Sequence, residues 1–212
     1  MALRVTEIFE SIQGETSRAG LPCVFLRFTG CDLRCGYCDT AYAFHGGEWM
    51  EQAQVLERVS TFRSRFVTLT GGEPLLQKEL PALAQALLER GYLVAVETHG
   101  QRSVAALPRE VIKIVDVKTP GSGEVAKSLA VLEELEAKDE LKFVVCSRED
   151  FDWSAALVRQ HRLEERFPIL FSPSFGQVEA SELARWLLES GLRARLNLQI
   201  HKYIWGADAR GV

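Results

Sequence analysis

Long apolar runs are missing from this chain. No stretch of its 212 residues approaches the roughly 20 consecutive apolar residues that cross a bilayer, so no membrane partner is expected. The opening residues, Met1 to Glu7, lack the apolar core of a signal peptide and carry an early acid, which points to the cytoplasm. A large charge of one sign is missing too. The formal net charge of -4 argues against direct nucleic-acid or polyanion binding. There is no internal repeat, low-complexity tract or Pro/Gly-rich linker, so a single domain over 1–212 is the simplest organisation. Cysteine is scarce: five residues, an odd number with three of them close together, do not form a disulfide framework. In a reducing compartment such a cluster more often marks a metal site.

What is present is an alternation of short β-rich and helical runs. Strands are predicted at Val24–Phe28, Phe66–Thr70, Tyr92–Glu97, Ile112–Asp116, Leu141–Val145, Pro168–Phe171 and Arg195–Gln199. Helices are predicted at Glu51–Phe62, Pro74 to about Arg90, Val125–Ala137, Asp152–Arg162 and Glu179–Ser190. Gly91 stands where a helix C-terminus favours glycine. The segment Val5–Ser11 is read as an extra N-terminal strand. Repeated β-then-α units favour a parallel sheet with right-handed crossovers. There are too few of them for a closed eightfold barrel, so an α/β fold of the open or incomplete (β/α) barrel kind is expected. Ligands in such folds sit at the carboxyl ends of the strands. The chemistry-bearing residues gather there: the cysteine loop, Gly71-Gly72-Glu73-Pro74, Glu97-Thr98-His99-Gly100, Asp116-Val117-Lys118-Thr119, Cys146-Ser147 and Ser172-Pro173-Ser174.

Cys31, Cys35 and Cys38 are spaced C-x3-C-x2-C on one loop. Three thiolates can hold three corners of a [4Fe-4S] cluster and leave the fourth iron open to a small molecule. Zinc held by the same three cysteines and His45 is the bland alternative. Cys23 reads as a core residue within its strand. Cys146 is a conceivable fourth ligand, though packing is its more usual role.

The cysteine spacing, Tyr37 before the last cysteine, and Gly71-Gly72-Glu73-Pro74 one βα unit later resemble the radical S-adenosylmethionine superfamily. The segment Ile8 to Thr16, Arg27, Cys38-Asp39-Thr40, Glu97-Thr98-His99-Gly100, Asp116-Val117-Lys118 and His201-Lys202-Tyr203 resemble its 7-carboxy-7-deazaguanine synthase family, over nearly the whole chain. The resemblance implies a modified, incomplete (β/α) barrel with an N-terminal strand extension. It also implies a [4Fe-4S] cluster, S-adenosylmethionine and Mg2+. The implied reaction converts 6-carboxy-5,6,7,8-tetrahydropterin to 7-carboxy-7-deazaguanine with loss of ammonia. A homodimer and a flavodoxin- or ferredoxin-type electron donor are implied as partners.

The implied site follows residue by residue. Cys31, Cys35 and Cys38 would hold the cluster, and Thr40 would contact Mg2+. Tyr37, Cys38, Asp39, Gly72, Asp116, Val117, Lys118 and Ser172 to Phe175 (Ser172, Pro173, Ser174, Phe175) would contact the cofactor. Ile12, Gln13, Gly14, Glu15, Arg27, Thr70 and His201 would contact the substrate, with Glu97 and Glu15 as candidate catalytic carboxylates. Arg27 suits a carboxylate through its planar fork, although a surface ion pair is the commoner fate of arginine. Gln13 offers both a donor and an acceptor to a pterin edge. A radical activase acting on a partner protein shares the cysteine loop but is disfavoured by Gln13, Glu15 and Arg27. A non-catalytic zinc module is the other rival.

Overall fold

The computed structural model describes residues 2–211. They form one nine-stranded sheet in the order β3-β1-β2-β4-β5-β6-β7-β8-β9. From β2 (Pro22–Phe28) the neighbours β4 (Phe66–Gly71), β5 (Leu93–Thr98), β6 (Ile112–Asp116), β7 (Glu140–Val145), β8 (Ile169–Pro173) and β9 (Arg195–Leu196) all pair in parallel. The N-terminal strand β1 (Ala2–Ile12) pairs antiparallel with β2 on one side and with β3 (Glu48–Glu51) on the other. This is an incomplete barrel with an N-terminal antiparallel extension, as expected.

The parallel strands β4 to β8 are buried on both faces, so their side chains alternate between two environments. Val24, Leu26, Val67, Leu69, Val94, Val96, Val115, Leu141 and Phe143 belong to a large apolar core. The helices α1 (Gln52–Ser60), α2 (Leu80–Glu89) and α3 (Arg148–Gln160) contribute buried residues to it, among them Val55, Leu83 and Phe151. Cys23, Phe25, Phe66, Ala95, Ile112 and Ile114 form a separate small cluster. The same alternation places Arg27, Thr70, Glu97, Asp116, Lys142 and Ser172 on the interior side, above that cluster. Register aligns them: Arg27 lies opposite Thr70, Asp116 opposite Lys142, and Val144 opposite Ser172.

Several elements differ from the sequence expectation. The predicted helix from Pro74 to Arg90 is two pieces, a 3-10 turn at Pro74–Leu76 and then α2. Gln77 between them is extended, because its side chain accepts from the Arg4 amide (3.0 Å) and donates to the Thr29 carbonyl (3.1 Å). Gly91 (φ 78°) ends α2, with Tyr92 N–H donating to Leu87 O (3.1 Å) and Gly91 N–H to Leu88 O (2.9 Å). The predicted helix Val125–Ala137 is only a 3-10 turn at Ala130–Glu134. Its backbone groups are committed elsewhere: Ala126 N–H donates to Lys118 O and Leu132 O accepts from Arg166. The predicted strand Arg195–Gln199 stops after Leu196. Asn197 N–H still reaches Phe171 O (2.8 Å), and the chain then turns into α6 (Ile200–Trp205). Helix α3 starts at Arg148 rather than Asp152, capped by the Ser147 side chain. The short helices α4 (Leu163–Arg166) and α5 (Ala180–Ser190) complete the outer layer. No helix among the described residues is long and apolar enough to cross a membrane.

Candidate active site

A cleft of about 540 Å³ opens at the carboxyl ends of the strands. Every residue expected at the site lines it except Val117, which is buried beside it in the large core and donates its amide to Lys142 O (2.8 Å).

The cysteine loop forms one wall. Cys31, Cys35 and Cys38 are free, half-buried and open to the cleft. Cys23 is fully buried in the barrel interior, and its Sγ lies 3.1 Å from Thr68 Oγ1. Cys146 does not line the cleft, and His45 is exposed away from it, so the Cys3His set for zinc is not assembled. Asp32 and His99 lie near Cys31 and offer a different trio of possible metal donors. Both nitrogens of His99 are already engaged, however. Nδ1 accepts the Gln101 N–H (3.1 Å), so Nε2 carries the proton and donates to Asp32 (2.9 Å). Three thiols without a free fourth side chain suit a cluster that keeps one iron open.

The Gly71-Gly72 turn packs against that loop at backbone distance. A Cβ on Gly72 would sit 2.0 Å from the Gly30 carbonyl oxygen, so only glycine allows the approach. Glu73 is completely buried and ties this turn to the end of β5, accepting from Leu75 N–H, Thr98 Oγ1 and His99 N–H at 2.9–3.0 Å. On the opposite wall Asp116 Oδ2 takes the Lys118 ammonium at 3.0 Å, while its buried Oδ1 has no partner among the described residues. An unpartnered buried acceptor costs about 1–3 kcal/mol, so it suits a ligand hydroxyl. The Lys118 ammonium also lies 5.3 Å from the Tyr37 ring centroid. These features fit S-adenosylmethionine beside the cluster.

The floor is the loop 13–21, which links β1 to β2 and crosses the barrel interior. Its far end is anchored by buried Glu140, which accepts from the Ser17 amide and hydroxyl and from Arg18. Gln13 is almost fully buried. Its amide NH2 reaches Thr68 Oγ1 (3.1 Å) and Glu97 Oε1 (3.3 Å), and its carbonyl accepts the Glu15 N–H (3.1 Å). The Gln13 amide NH2 is thus engaged within the protein, while its carbonyl oxygen accepts one bond and keeps a second lone pair at the cleft. Thr70 Oγ1 donates to Glu97 Oε2 (3.1 Å).

Sequence reasoning missed Lys142, which sits among the carboxylates. Its ammonium bonds Glu15 directly and lies 3.8 Å from Asp116. The signal was available: a lone lysine at an interior-facing position of an apolar strand, like Arg27 on β2. Burial works to raise the Glu15 carboxyl, but the Lys142 charge and hydrogen bond, with Gln199, bring it below the ordinary value. Glu97 goes the other way, raised by burial against the pull of Lys142, with the Glu15 charge adding to the rise. Burial opposes the Lys142 charge, yet Glu15, Asp116 and Glu97 hold it firmly protonated.

Arg27 does form an ion pair, Nε to Glu7 Oε1 at 2.7 Å, and Tyr42 OH donates to the same oxygen (2.7 Å). The pair lies inside the cleft rather than on the surface, and the terminal guanidinium nitrogens of Arg27 have no partner among the described residues. The C-terminal segment closes the last side. Ile200 N–H donates to Gly14 O (2.9 Å), Gln199 bridges Glu15 (2.7 Å) and Asp39 (3.3 Å), and Lys202 pairs with Asp39 (2.8 Å). His201 lies against Gly14, so close that a Cβ there would meet its ring. Thr40 Oγ1 donates to Asp39 Oδ1 (2.9 Å), placing two hard oxygen donors of the kind Mg2+ takes side by side.

Residues 25–118 match the Radical SAM superfamily. The fold aligns with the crystal structure of QueE from Escherichia coli at a TM-score of 0.78 and 22% identity, covering 93% of this chain and 94% of that one. A 7-carboxy-7-deazaguanine synthase from Koribacter versatilis is 41% identical over 99% of this chain and 100% of its own length. One from Chlorobaculum tepidum is 42% identical over 99% and 97%. Similarity at that level over the full length, with the cysteine loop and the carboxylate-lined cleft on one face, makes this chain a member of the 7-carboxy-7-deazaguanine synthase family of radical S-adenosylmethionine enzymes.

Proposed function

We propose that the chain, acting as one domain over 1–212, converts 6-carboxy-5,6,7,8-tetrahydropterin to 7-carboxy-7-deazaguanine with loss of ammonia. The observation that carries this reading is a cleft that joins three free thiols to the Glu15 and Glu97 carboxylates, the first paired with Lys142 and the second held by Gln13 and Thr70. When bound, the cluster and S-adenosylmethionine supply one-electron reduction and hydrogen abstraction. Cys31, Cys35 and Cys38 hold the cluster, while Gly72 and Asp116 receive the cofactor.

The remaining work falls to the chain's own side chains. Arg27 presents its free terminal nitrogens to the substrate carboxylate, held in place by Glu7. Glu15, kept ionised by Lys142, accepts from the N–H groups of the pterin ring. Glu97, whose raised proton affinity keeps it neutral longer, donates a proton toward the departing amine. Gln13 joins the Glu97 carboxylate to the Glu15 backbone N–H and turns the remaining lone pair of its carbonyl oxygen to the substrate. Thr70 steadies Glu97. Thr40 supplies an oxygen to Mg2+, whose other positions fall to substrate oxygens and water. His201 and the tail exclude water from the side. A homodimer, a flavodoxin- or ferredoxin-type reductant and a cytoplasmic setting complete the proposal.

The test is anaerobic turnover. Cluster-loaded protein, reductant, S-adenosylmethionine and Mg2+ are incubated with the carboxytetrahydropterin. Formation of 7-carboxy-7-deazaguanine supports the assignment, and its absence from a protein that still cleaves S-adenosylmethionine refutes it.

A further inference from the structure

The C-terminal tail carries a cation into the cleft for which the reaction outlined above has no use. After α6 the chain turns at Gly206 (φ 97°), and residues 207–211 run along the cleft wall. The Arg210 guanidinium carbon lies 4.3 Å from the centroid of the Tyr42 ring. The Arg27 guanidinium carbon lies 5.9 Å from the same centroid. Two guanidiniums therefore share one aromatic ring inside the cleft.

Their counter-charge is incomplete. Glu7 is the carboxylate at this corner, and one of its oxygens already serves both Arg27 Nε and Tyr42 OH. Asp39 is taken by Lys202 and Gln199. Asp208 lines the cleft but forms no ion pair with Arg210, and among the described residues Arg210 has no hydrogen-bond partner. Stacking occupies the face of a guanidinium and leaves its in-plane N–H donors free, the geometry that a planar carboxylate matches. The tail's placement is not casual. Ile200, Gln199 and Lys202 fasten its root to Gly14, Glu15 and Asp39, so the chain leaves for Tyr42 from a fixed point.

We propose that Arg210 is a second guanidinium ligand for the carboxylate of the bound pterin, completing with Arg27 a clamp that closes when the tail lies along the cleft. This rests on the pterin reading of the site. It makes the terminal segment a determinant of specificity: the clamp rewards a 6-carboxylated pterin and offers nothing to one without the acid group.

The test compares binding of two ligands to the anaerobic, cluster-loaded, S-adenosylmethionine-bound protein. One is 6-carboxy-5,6,7,8-tetrahydropterin, and the other is 6-methyl-5,6,7,8-tetrahydropterin, which lacks the carboxylate. Arg210→Met should weaken the acid by about 10-fold or more, the ordinary worth of a charged hydrogen bond, and leave the methyl pterin unchanged. Arg210→Lys should fall between, keeping charge but losing the fork. Equal weakening of both ligands, or none for either, overturns the clamp and leaves Arg210 a solvated arginine stacked on a tyrosine. Should the unaltered protein neither bind nor convert the acid, the pterin reading itself falls. Should it convert the acid while Arg210→Met binds it as tightly, only the clamp falls.

Discussion

Replacing Lys142 by methionine removes the cation at the centre of the cleft and keeps most of the side-chain volume. Lys142 and Glu15 are 13% and 14% exposed, so neither can recover solvation without moving. Deleting one partner of a buried pair costs about 3–5 kcal/mol, because the other charge stays buried and unpaired. Removing both together is often close to neutral. Lys142→Met alone should therefore lower unfolding stability by about that amount, and Glu15→Gln with Lys142→Met should recover most of it. Binding should gain a pH dependence. In the unaltered protein Glu15 is held below its ordinary value and stays ionised from pH 6 to 8, so pterin affinity is flat there. Without the ammonium, burial and the Asp39 charge hold the Glu15 proton on to higher pH. Affinity should then be weak at pH 6 and rise toward pH 8 as the carboxylate forms. Denaturant unfolding of the four proteins of the cycle and pterin titration at three pH values are the measurements. Additive stability losses, or a pH-independent affinity in Lys142→Met, would refute the role given to the pair.

Other outcomes follow from single features. Cys35→Ala should abolish the brown iron–sulfur absorbance and drop bound iron after anaerobic reconstitution, and a full iron complement would remove Cys35 from the ligand set. Gly72→Ala forces a Cβ to within 2.0 Å of the Gly30 carbonyl oxygen, so the turn must retreat from the cysteine loop. Affinity for S-adenosylmethionine should fall while far-ultraviolet circular dichroism stays the same; unchanged affinity would contradict the packing. Burial pushes the Cys23 thiol up to about 12. Above pH 9 the unfolded chain loses this proton while the native state keeps it, so stability falls as pH rises toward 12. The stability advantage of the unaltered protein over Cys23→Ala should shrink by roughly 1.4 kcal/mol for each pH unit between about 9 and 12, and a constant difference in chemical denaturation would count against it.

The strands from Val24 to Phe171 were legible because apolar residues of high β propensity fill both of their faces. The polar residues at their carboxyl ends were legible because a parallel sheet exposes those ends to ligand. Arg27 stood out as a charge in an apolar strand, and Lys142 deserved the same reading. The helix expected at Val125–Ala137 failed because spacing in sequence does not reveal that Leu132 O and the Ala126 amide serve distant partners. Glu73 looked like part of a turn motif. Its work, fastening that turn to β5, depends on contacts 25 and 26 residues away. The tail was the least legible part. Nothing local in residues 199–211 says that they return to Gly14, Glu15 and Tyr42.

The anchoring of loop 13–21 on Glu140 ties two requirements to one segment. That segment stoppers the lower mouth of the barrel and also holds up Glu15. Loosening it to admit a bulkier ring would let bulk solvent rise into the chamber from below, where a carbon radical would meet it. Changes in what this enzyme accepts are therefore bound to how well it keeps its chamber dry, and the neighbouring positions on β7 must change in step with the loop.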